Sequence, residues 1–310
     1  MAPGMPRTTT RRYGPIPAGR NPLVHGFTSR SAKRLLSAFR DPHGSPVTAK
    51  VKEPMNDLFS IEGKTALVTG GSRGIGLMIA RGFVKAGAKV YISSRKADVC
   101  DEVAVELSTV GTCISLPANL SEHDECKRVA DEIIEREGKL EILVNNAGAN
   151  WGAPLAEFPD AAWDRVLDLN VKGVFHLTRY LVPALAAAGK PGDPARVINI
   201  GSIDGLHAPD LETYSYSASK AAVHHLTKVL AKRLARENIA VNAIAPGPFE
   251  SQMMATTLDA FRDQIIESAP LRRIGHPDDM AGTAIYLSSR AGSYLTGVVL
   301  PVDGGIATTL

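Results

Sequence analysis

The sequence predicts an α/β fold: a doubly wound parallel sheet of about seven strands, built as a single domain. Three observations predict it. Short apolar runs bounded by glycine alternate with segments of helical periodicity from residue 58 to the end. Strands that alternate with helices form a parallel sheet covered on both faces. A glycine-rich turn joins the first strand to the first helix. No linker or composition shift divides residues 58–310.

Lys64 to Thr69 is the first apolar run and reads as a buried strand. Gly70, Gly71, Gly74 and Gly76 follow, interleaved with Ser72, Arg73 and Ile75, and Leu77 opens a helical pattern. Strand, glycine loop and helix in that order give a glycine motif its meaning. The first glycines permit a tight turn. The later ones let the backbone approach a pyrophosphate at the helix N-terminus, where free N–H groups and the helix dipole favour anions. The predicted sheet is therefore of the Rossmann type, although Gly70, Gly74 and Gly76 are spaced differently from the commoner dinucleotide fingerprint.

Further strands are expected at Ala88 to Ser93, Thr112 to Pro117, Glu141 to Val144, Arg196 to Gly201, Ile239 to Ala245 and Gly297 to Pro301. Helices are expected over 97–108, over 121–137 with Ser121 as N-cap, and over 159–187 with interruptions near Gly173 and Pro183. The pattern also predicts helices over 213–236, 251–267 and 277–289.

The chain has 310 residues, 44% hydrophobic and 22% charged, enough to bury a substantial core. Its net charge of +3 is a sum of unlike parts. Residues 1–54 carry ten Lys/Arg against two Asp/Glu, whereas the rest carries twenty-five against thirty. The basic character belongs to the extension, so the body is not a basic nucleic-acid binder. Residues 1–54 read as a disordered extension. A transit peptide and a gene-model artefact with Met55 as the true start are the alternatives. No apolar run is long enough to span a bilayer. Cys100, Cys113 and Cys126 form no paired motif and point to a reducing compartment. No His/Cys cluster suggests a metal.

Tyr216 and Lys220 lie four apart in a predicted helix and so share one face. A phenol beside an ammonium can give a proton to a carbonyl oxygen near neutral pH, which a free tyrosine does poorly. Tyr214 has no lysine four residues on and reads as pocket wall or packing. At the end of the second strand, where an NAD-preferring site places a carboxylate, the chain has Ser94, Arg95 and Lys96 with no acid before Asp98. Arg95, Ser94 and Arg73 suit a 2′-phosphate, which favours NADPH. Trp151, His207, Leu211 and the segment from Phe249 to Pro270, with Met253, Met254, Leu258 and Phe261, are placed at the substrate side. Ordinary helix packing explains the last four equally well. His224 and His225 read as packing or subunit-facing residues.

With these residues in hand, the body resembles the short-chain dehydrogenase/reductase superfamily in its compact single-domain branch. The matching residues run from Thr69 to Gly76, then Asn145-Asn146-Ala147-Gly148, Asn170, Ser202, Tyr216 to Lys220, and Pro246-Gly247. A closer likeness, to β-ketoacyl reductases of the rhamnolipid type, rests on Asn150 to Ala153, Pro194 to Ser202, and Trp163 to Asn170. The resemblance implies Tyr216 as general acid and Lys220 as the charge that lowers its pKa and binds the nicotinamide ribose. It implies Ser202 as the group that orients the carbonyl and Asn170 as holder of a proton-relay water. It places the cofactor on Gly70, Ser72, Arg73, Ile75, Ser94, Arg95, Asn119, Leu120, Asn145, Ala147, Gly148, Tyr216, Lys220, Pro246, Gly247, Phe249 and Ser251. Asn119 stands where the family usually has an aspartate for the adenine amine. The expected activity is NADPH-dependent reduction of a ketone, a 3-oxoacyl thioester first. An alcohol or sugar dehydrogenase of the same fold and a non-catalytic NADP-sensing or scaffold protein are the alternatives. The expected partners are a small carbonyl substrate and copies of the chain, as dimer or tetramer, with no nucleic acid and no membrane. The expected location is the cytoplasm, or the mitochondrion if residues 1–54 are a transit peptide.

Overall fold

The structure, a computed structural model, describes residues 55–309. The disordered extension expected over 1–54, with its transit-peptide alternative, lies outside the described residues. Seven strands pair in parallel: β1 (Thr65–Thr69), β2 (Lys89–Ser93), β3 (Thr112–Ser115), β4 (Ile142–Asn145), β5 (Ala195–Ile200), β6 (Ile239–Pro246) and β7 (Val299–Val302). Their order is β3-β2-β1-β4-β5-β6-β7. The chain winds outward from β1 in one direction and from β4 in the other. The switch point between these two strands is where such sheets bind ligands, outside the strands' carboxyl ends.

Each strand feeds two cores because successive side chains point to opposite faces. Leu67, Leu143, Val197 and Val241 pack beneath α3 (His123–Glu137), α5 (Val174–Ala188) and α6 (Tyr214–Leu234). Ala66, Val68, Ile142, Val144 and Ile198 face the other way, against α1 (Gly74–Lys85), α2 (Ala97–Leu107) and α8 (Pro277–Ser288). Two-sided burial is why the strands read as continuous apolar runs. Two further long helices are α4 (Asp160–Leu167) and α7 (Ala255–Ser268), and single helical turns lie at Met55–Leu58 and Ile306–Thr309.

The structure corrects several local expectations. Helix α3 begins at His123, with Glu122 as N-cap and no side-chain cap. Ser121 donates its hydroxyl to Asn119 Oδ1 at 2.9 Å instead. Pro183 does not interrupt α5. It is solvent-exposed, so the carbonyl it leaves unbonded can be hydrated. The interruption is a π-helical turn, Asp168–Gly173, between α4 and α5. A Cβ on Gly173 would stand 2.4 Å from the Leu120 carbonyl, so the bulge brings bare backbone against the end of the β3 loop.

Candidate active site

The carboxyl ends of β1 and β4 are clamped by a side chain from each. Thr69 Oγ1 donates to the Val144 carbonyl at 3.2 Å and accepts from the N–H groups of Asn146 and Ala147 at 2.9 and 3.0 Å. Asn146 Nδ2 donates to the carbonyls of Thr69 and Gly70 at 2.8 and 3.3 Å. Gly70 takes the left-handed conformation with φ +65°, and a Cβ on Gly76 would stand 2.2 Å from its carbonyl oxygen. The loop therefore closes on itself as only glycine allows. Arg73, at the N-cap of α1, is extended and makes no side-chain cap, so no side chain satisfies the first-turn N–H groups. Ser251 lies over the loop, its Cβ 3.2 Å from where a Gly74 Cβ would stand. Bare backbone donors at a helix N-terminus, roofed by a hydroxyl residue, fit a dinucleotide diphosphate.

The other residues expected at the cofactor divide into two sets. Ser94, Arg95 and Lys96 follow β2, with Arg95 exposed and no carboxylate before Asp98. Arg73 Nη1 bonds Gln252 Oε1 at the mouth of the loop. Asn119 donates to Glu122 Oε1 at 2.7 Å while its Oδ1 receives Ser121, so one lone pair on Oδ1 is left for an adenine amine. Ser72 and Ile75 flank Arg73 and Gly74 in the loop. Ala147, Gly148, Pro246 and Gly247 bring backbone to the same edge, with the Gly247 N–H held by the Val302 carbonyl at 3.0 Å. Three expected side chains point elsewhere. Asn145 is buried and donates to Thr178 Oγ1 and Asn199 Oδ1 at 3.0 and 2.9 Å, inside the sheet. Phe249 buries its ring over Gly275, and Leu120 belongs to the core beneath α3. These three offer a ligand only their backbone.

The phenol and ammonium meet as their spacing predicts. Lys220 is buried, its Nζ donates to the Ile200 carbonyl at 2.8 Å, and it stands 5.4 Å from the centre of the half-buried Tyr216 ring. Ser202 leaves β5 in an extended conformation, and its Oγ accepts from the Asp204 N–H at 3.1 Å. Burial pushes the Tyr216 phenol up to about 12, with the Ser202 hydroxyl pulling it down and the Asp204 carboxylate pushing it further up. The lowering expected from Lys220 is not among the effects on the phenol; the Ser202 hydroxyl supplies the one that lowers it. Burial likewise pushes Lys220 down to about 8, opposed by Asp204. Asp204 is itself held above the usual carboxylate range by burial, with His207 and Lys220 acting the other way.

Asn170 sits in the π-helical turn with both amide protons engaged and one lone pair left on Oδ1. Its Oδ1 accepts from the Ala149 N–H at 2.8 Å, and its Nδ2 donates to the Ala149 carbonyl and to Ser219 Oγ at 3.0 and 2.9 Å. Ser219 Oγ donates to the Tyr216 carbonyl at 2.7 Å. Between Asn170 and Lys220 lies a gap bordered by Gly148. A Cβ there would stand 3.4 Å from Asn170 Oδ1 and 3.8 Å from Lys220 Nζ.

At the substrate side, Trp151, Leu206, Leu211 and Met253 are exposed, and Arg165 covers the Trp151 ring at 5.5 Å. Tyr214 is packing: its hydroxyl donates to Glu212 Oε1 at 2.8 Å and its ring lies against Phe158. Leu258 is core rather than pocket, and Phe261 is exposed. Sequence reasoning passed over Asn146, Ser219 and Asp204. Asn146 stands within the Asn-Asn-Ala-Gly motif, and Ser219 one residue before Lys220, so position alone could have flagged both. Asp204 carries no comparable signal.

A dinucleotide cradle at the switch point of a parallel sheet, with a Ser–Tyr–Lys set on the same edge, defines a nicotinamide-dependent oxidoreductase. The family described as enoyl-(acyl carrier protein) reductase matches residues 70–307, and the chain belongs to the short-chain dehydrogenase/reductase family. It is 47% identical over 255 residues to the rhamnolipids biosynthesis 3-oxoacyl-[acyl-carrier-protein] reductase of Pseudomonas aeruginosa, covering 81% of this chain and 99% of that one. The Pseudomonas aeruginosa RhlG/NADP active-site complex superposes with a TM-score of 0.78 at 45% identity, over 81% of this chain and 99% of that one. A gluconate 5-dehydrogenase from Burkholderia cenocepacia, in complex with NADP and tartrate, superposes with a TM-score of 0.77 at 33% identity, over 82% and 99%. Among the described residues no helix is long and apolar enough to cross a membrane, and no group of His, Cys, Asp or Glu could hold a metal ion.

Proposed function

We propose that the chain reduces a 3-oxoacyl thioester to the 3-hydroxyacyl thioester with NADPH. The observation that carries the chemistry is the convergence of Ser202, Tyr216 and Lys220 beside the glycine loop, with Lys220 buried. NADPH, when bound, supplies the hydride to the carbonyl carbon. Ser202 Oγ accepts from the Asp204 N–H, and its own proton, which bears on the Tyr216 phenol, would turn to the carbonyl oxygen when substrate binds. Tyr216 gives its proton to that oxygen as negative charge develops there. The resulting phenolate faces the Lys220 ammonium and the Ser202 hydroxyl, which stabilise it. A water in the gap at Gly148, between Asn170 and Lys220, returns the proton. Gly70, Arg73, Ser94, Arg95 and the α1 amides hold the cofactor phosphates, and Asn119 accepts from the adenine amine.

The substrate class is supported by the exposed apolar side chains at the mouth, Trp151, Leu206, Leu211 and Met253, and by the 47% identical relative. Residues 58–310 act as one catalytic domain behind the extension. Exposed Phe175 on α5 and Val229 on α6 suit pairing of these helices in a dimer or tetramer, and the three free cysteines suit a cytoplasmic location. The test is NADPH oxidation against acetoacetyl-coenzyme A, cyclohexanone and 5-keto-D-gluconate. The proposal expects the highest kcat/KM for the thioester. Preference for the keto-sugar acid would move the chain to the sugar dehydrogenases, and turnover of none would favour a sensor.

A further inference from the structure

Helix α6 carries a third residue on the stripe of Tyr216 and Lys220. His224 is one turn beyond Lys220, and its imidazole is buried, with 5% of its surface exposed. Neither ring nitrogen meets a partner in good hydrogen-bond geometry, the Gly205 backbone being the polar group that bears on the ring. Buried polar groups without partners are uncommon and call for a reason. The ring's neighbours supply one. A Cβ on Gly201 would stand 2.0 Å from its Nε2, whereas a Cβ on Gly205 would stand 2.7 Å from the backbone of Lys220 and Ala221 and 2.9 Å from the ring's Cε1. The imidazole thus fills the space under Gly201, while Gly205 rests on the α6 backbone with the ring beside it. The same loop is tied across its base by the Gly205 N–H, which donates to the Ser202 carbonyl at 3.1 Å.

We propose that His224 is the positioning residue for Ser202: its ring is the spacer that holds the Gly201 end of the Gly201–Gly205 loop off α6, and so sets the place of the Ser202 hydroxyl relative to Tyr216. The inference rests on the role given to Ser202 above. A rigid ring suits the task because its shape has few rotamers. Its charge state matters as well. Burial holds it below the usual histidine range, the Gly205 backbone pulls it back up, and Lys220 and Lys228 on its own helix push it further down. The facing loop brings Asp204 and His207, with Asp204 acting on Lys220 and Tyr216. Strand β6, which also packs on α6, brings no charged side chain. A proton added to the ring would enter a site whose nearest charges are two lysines on its own helix.

The test is a mutant cycle in the full chain, assayed with acetoacetyl-coenzyme A and NADPH. Ser202→Ala sets the loss that removing the hydroxyl causes. His224→Ala is expected to lower kcat by up to about 100-fold, the scale of a misplacement near 1 Å, with NADPH affinity unchanged. The double variant is expected to be no slower than Ser202→Ala, because both changes act through one group. His224→Phe, which refills the space without a titratable group, is expected to recover most of kcat and to flatten the acid side of its pH profile. Unchanged kcat in His224→Ala overturns the inference. So does a loss that multiplies with that of Ser202→Ala, or a His224→Phe variant as slow as His224→Ala while still binding NADPH. Full activity of Ser202→Ala would instead overturn the role assigned to Ser202 itself, and this inference with it.

Discussion

Gly148→Ala separates the proton relay from the rest of the site. The added methyl would stand 3.4 Å from Asn170 Oδ1, 3.7 Å from the Asn146 carbonyl and 3.8 Å from Lys220 Nζ. All are ordinary contact distances, and Gly148 is not among the residues with positive φ. Folding is therefore not penalised. Replacing glycine where the backbone permits it stabilises by about 0.4–1 kcal/mol through the unfolded chain. The methyl nonetheless occupies the gap assigned to the relay water. Steady-state kcat is expected to fall about 10²-fold, the lower end of what a positioned proton transfer contributes. The first turnover starts from protonated Tyr216 and is expected to stay near the wild-type rate. The assay is stopped-flow NADPH oxidation with acetoacetyl-coenzyme A, read as a burst followed by a slow phase, alongside NADPH titration by fluorescence. A variant with wild-type kcat, or one whose sole defect is weaker NADPH binding, would refute the placement of the relay.

Three further outcomes are expected. Tyr216, at about 12, keeps its proton through the working range, so Lys220, at about 8, is the group that titrates; the ammonium fraction falls from about 0.9 at pH 7 to about 0.1 at pH 9, and kcat should fall with it, whereas Lys220→Arg, lower in rate, should show no such limb. Because the folded chain holds Lys220 below its unfolded value of 10.5, unfolding takes up a proton between about pH 8 and 10.5, so this group's share of stability rises with pH across that window; chemical denaturation of wild type and Lys220→Met over that window checks the sign. Arg95→Ala is expected to raise the KM for NADPH tenfold to about 100-fold, the equivalent of about 1.5–3 kcal/mol for charged hydrogen bonds, and to leave that for NADH unchanged.

The parts of the fold that depend on local pattern were legible in the sequence. All seven strands fall where short apolar runs predicted them, because burial keeps the strands largely apolar and the asparagines within them, Asn145, Asn199 and Asn242, find hydrogen-bond partners inside the fold. The Tyr216–Lys220 pair was legible because helical spacing alone makes them neighbours. What was not legible depended on which way a side chain turned. Asn145 stands in a motif of ligand-facing residues, yet its amide points into the sheet at Thr178 and Asn199. Phe249 stands beside Ser251, yet its ring is core. Pro183 broke the helical pattern on paper but sits on the solvent side, where a missing hydrogen bond costs least. The shift of Tyr216 upward was invisible for the same reason: spacing gives the neighbour, but only packing gives the burial that pushes the phenol up.

The central claim is that Tyr216 delivers the proton while the rest of the site holds the cofactor. Tyr216→Phe removes one hydroxyl and keeps the ring. NADPH titration paired with turnover of acetoacetyl-coenzyme A should show wild-type cofactor affinity and kcat lowered by about 10²–10⁴-fold. Wild-type kcat in Tyr216→Phe would contradict the account.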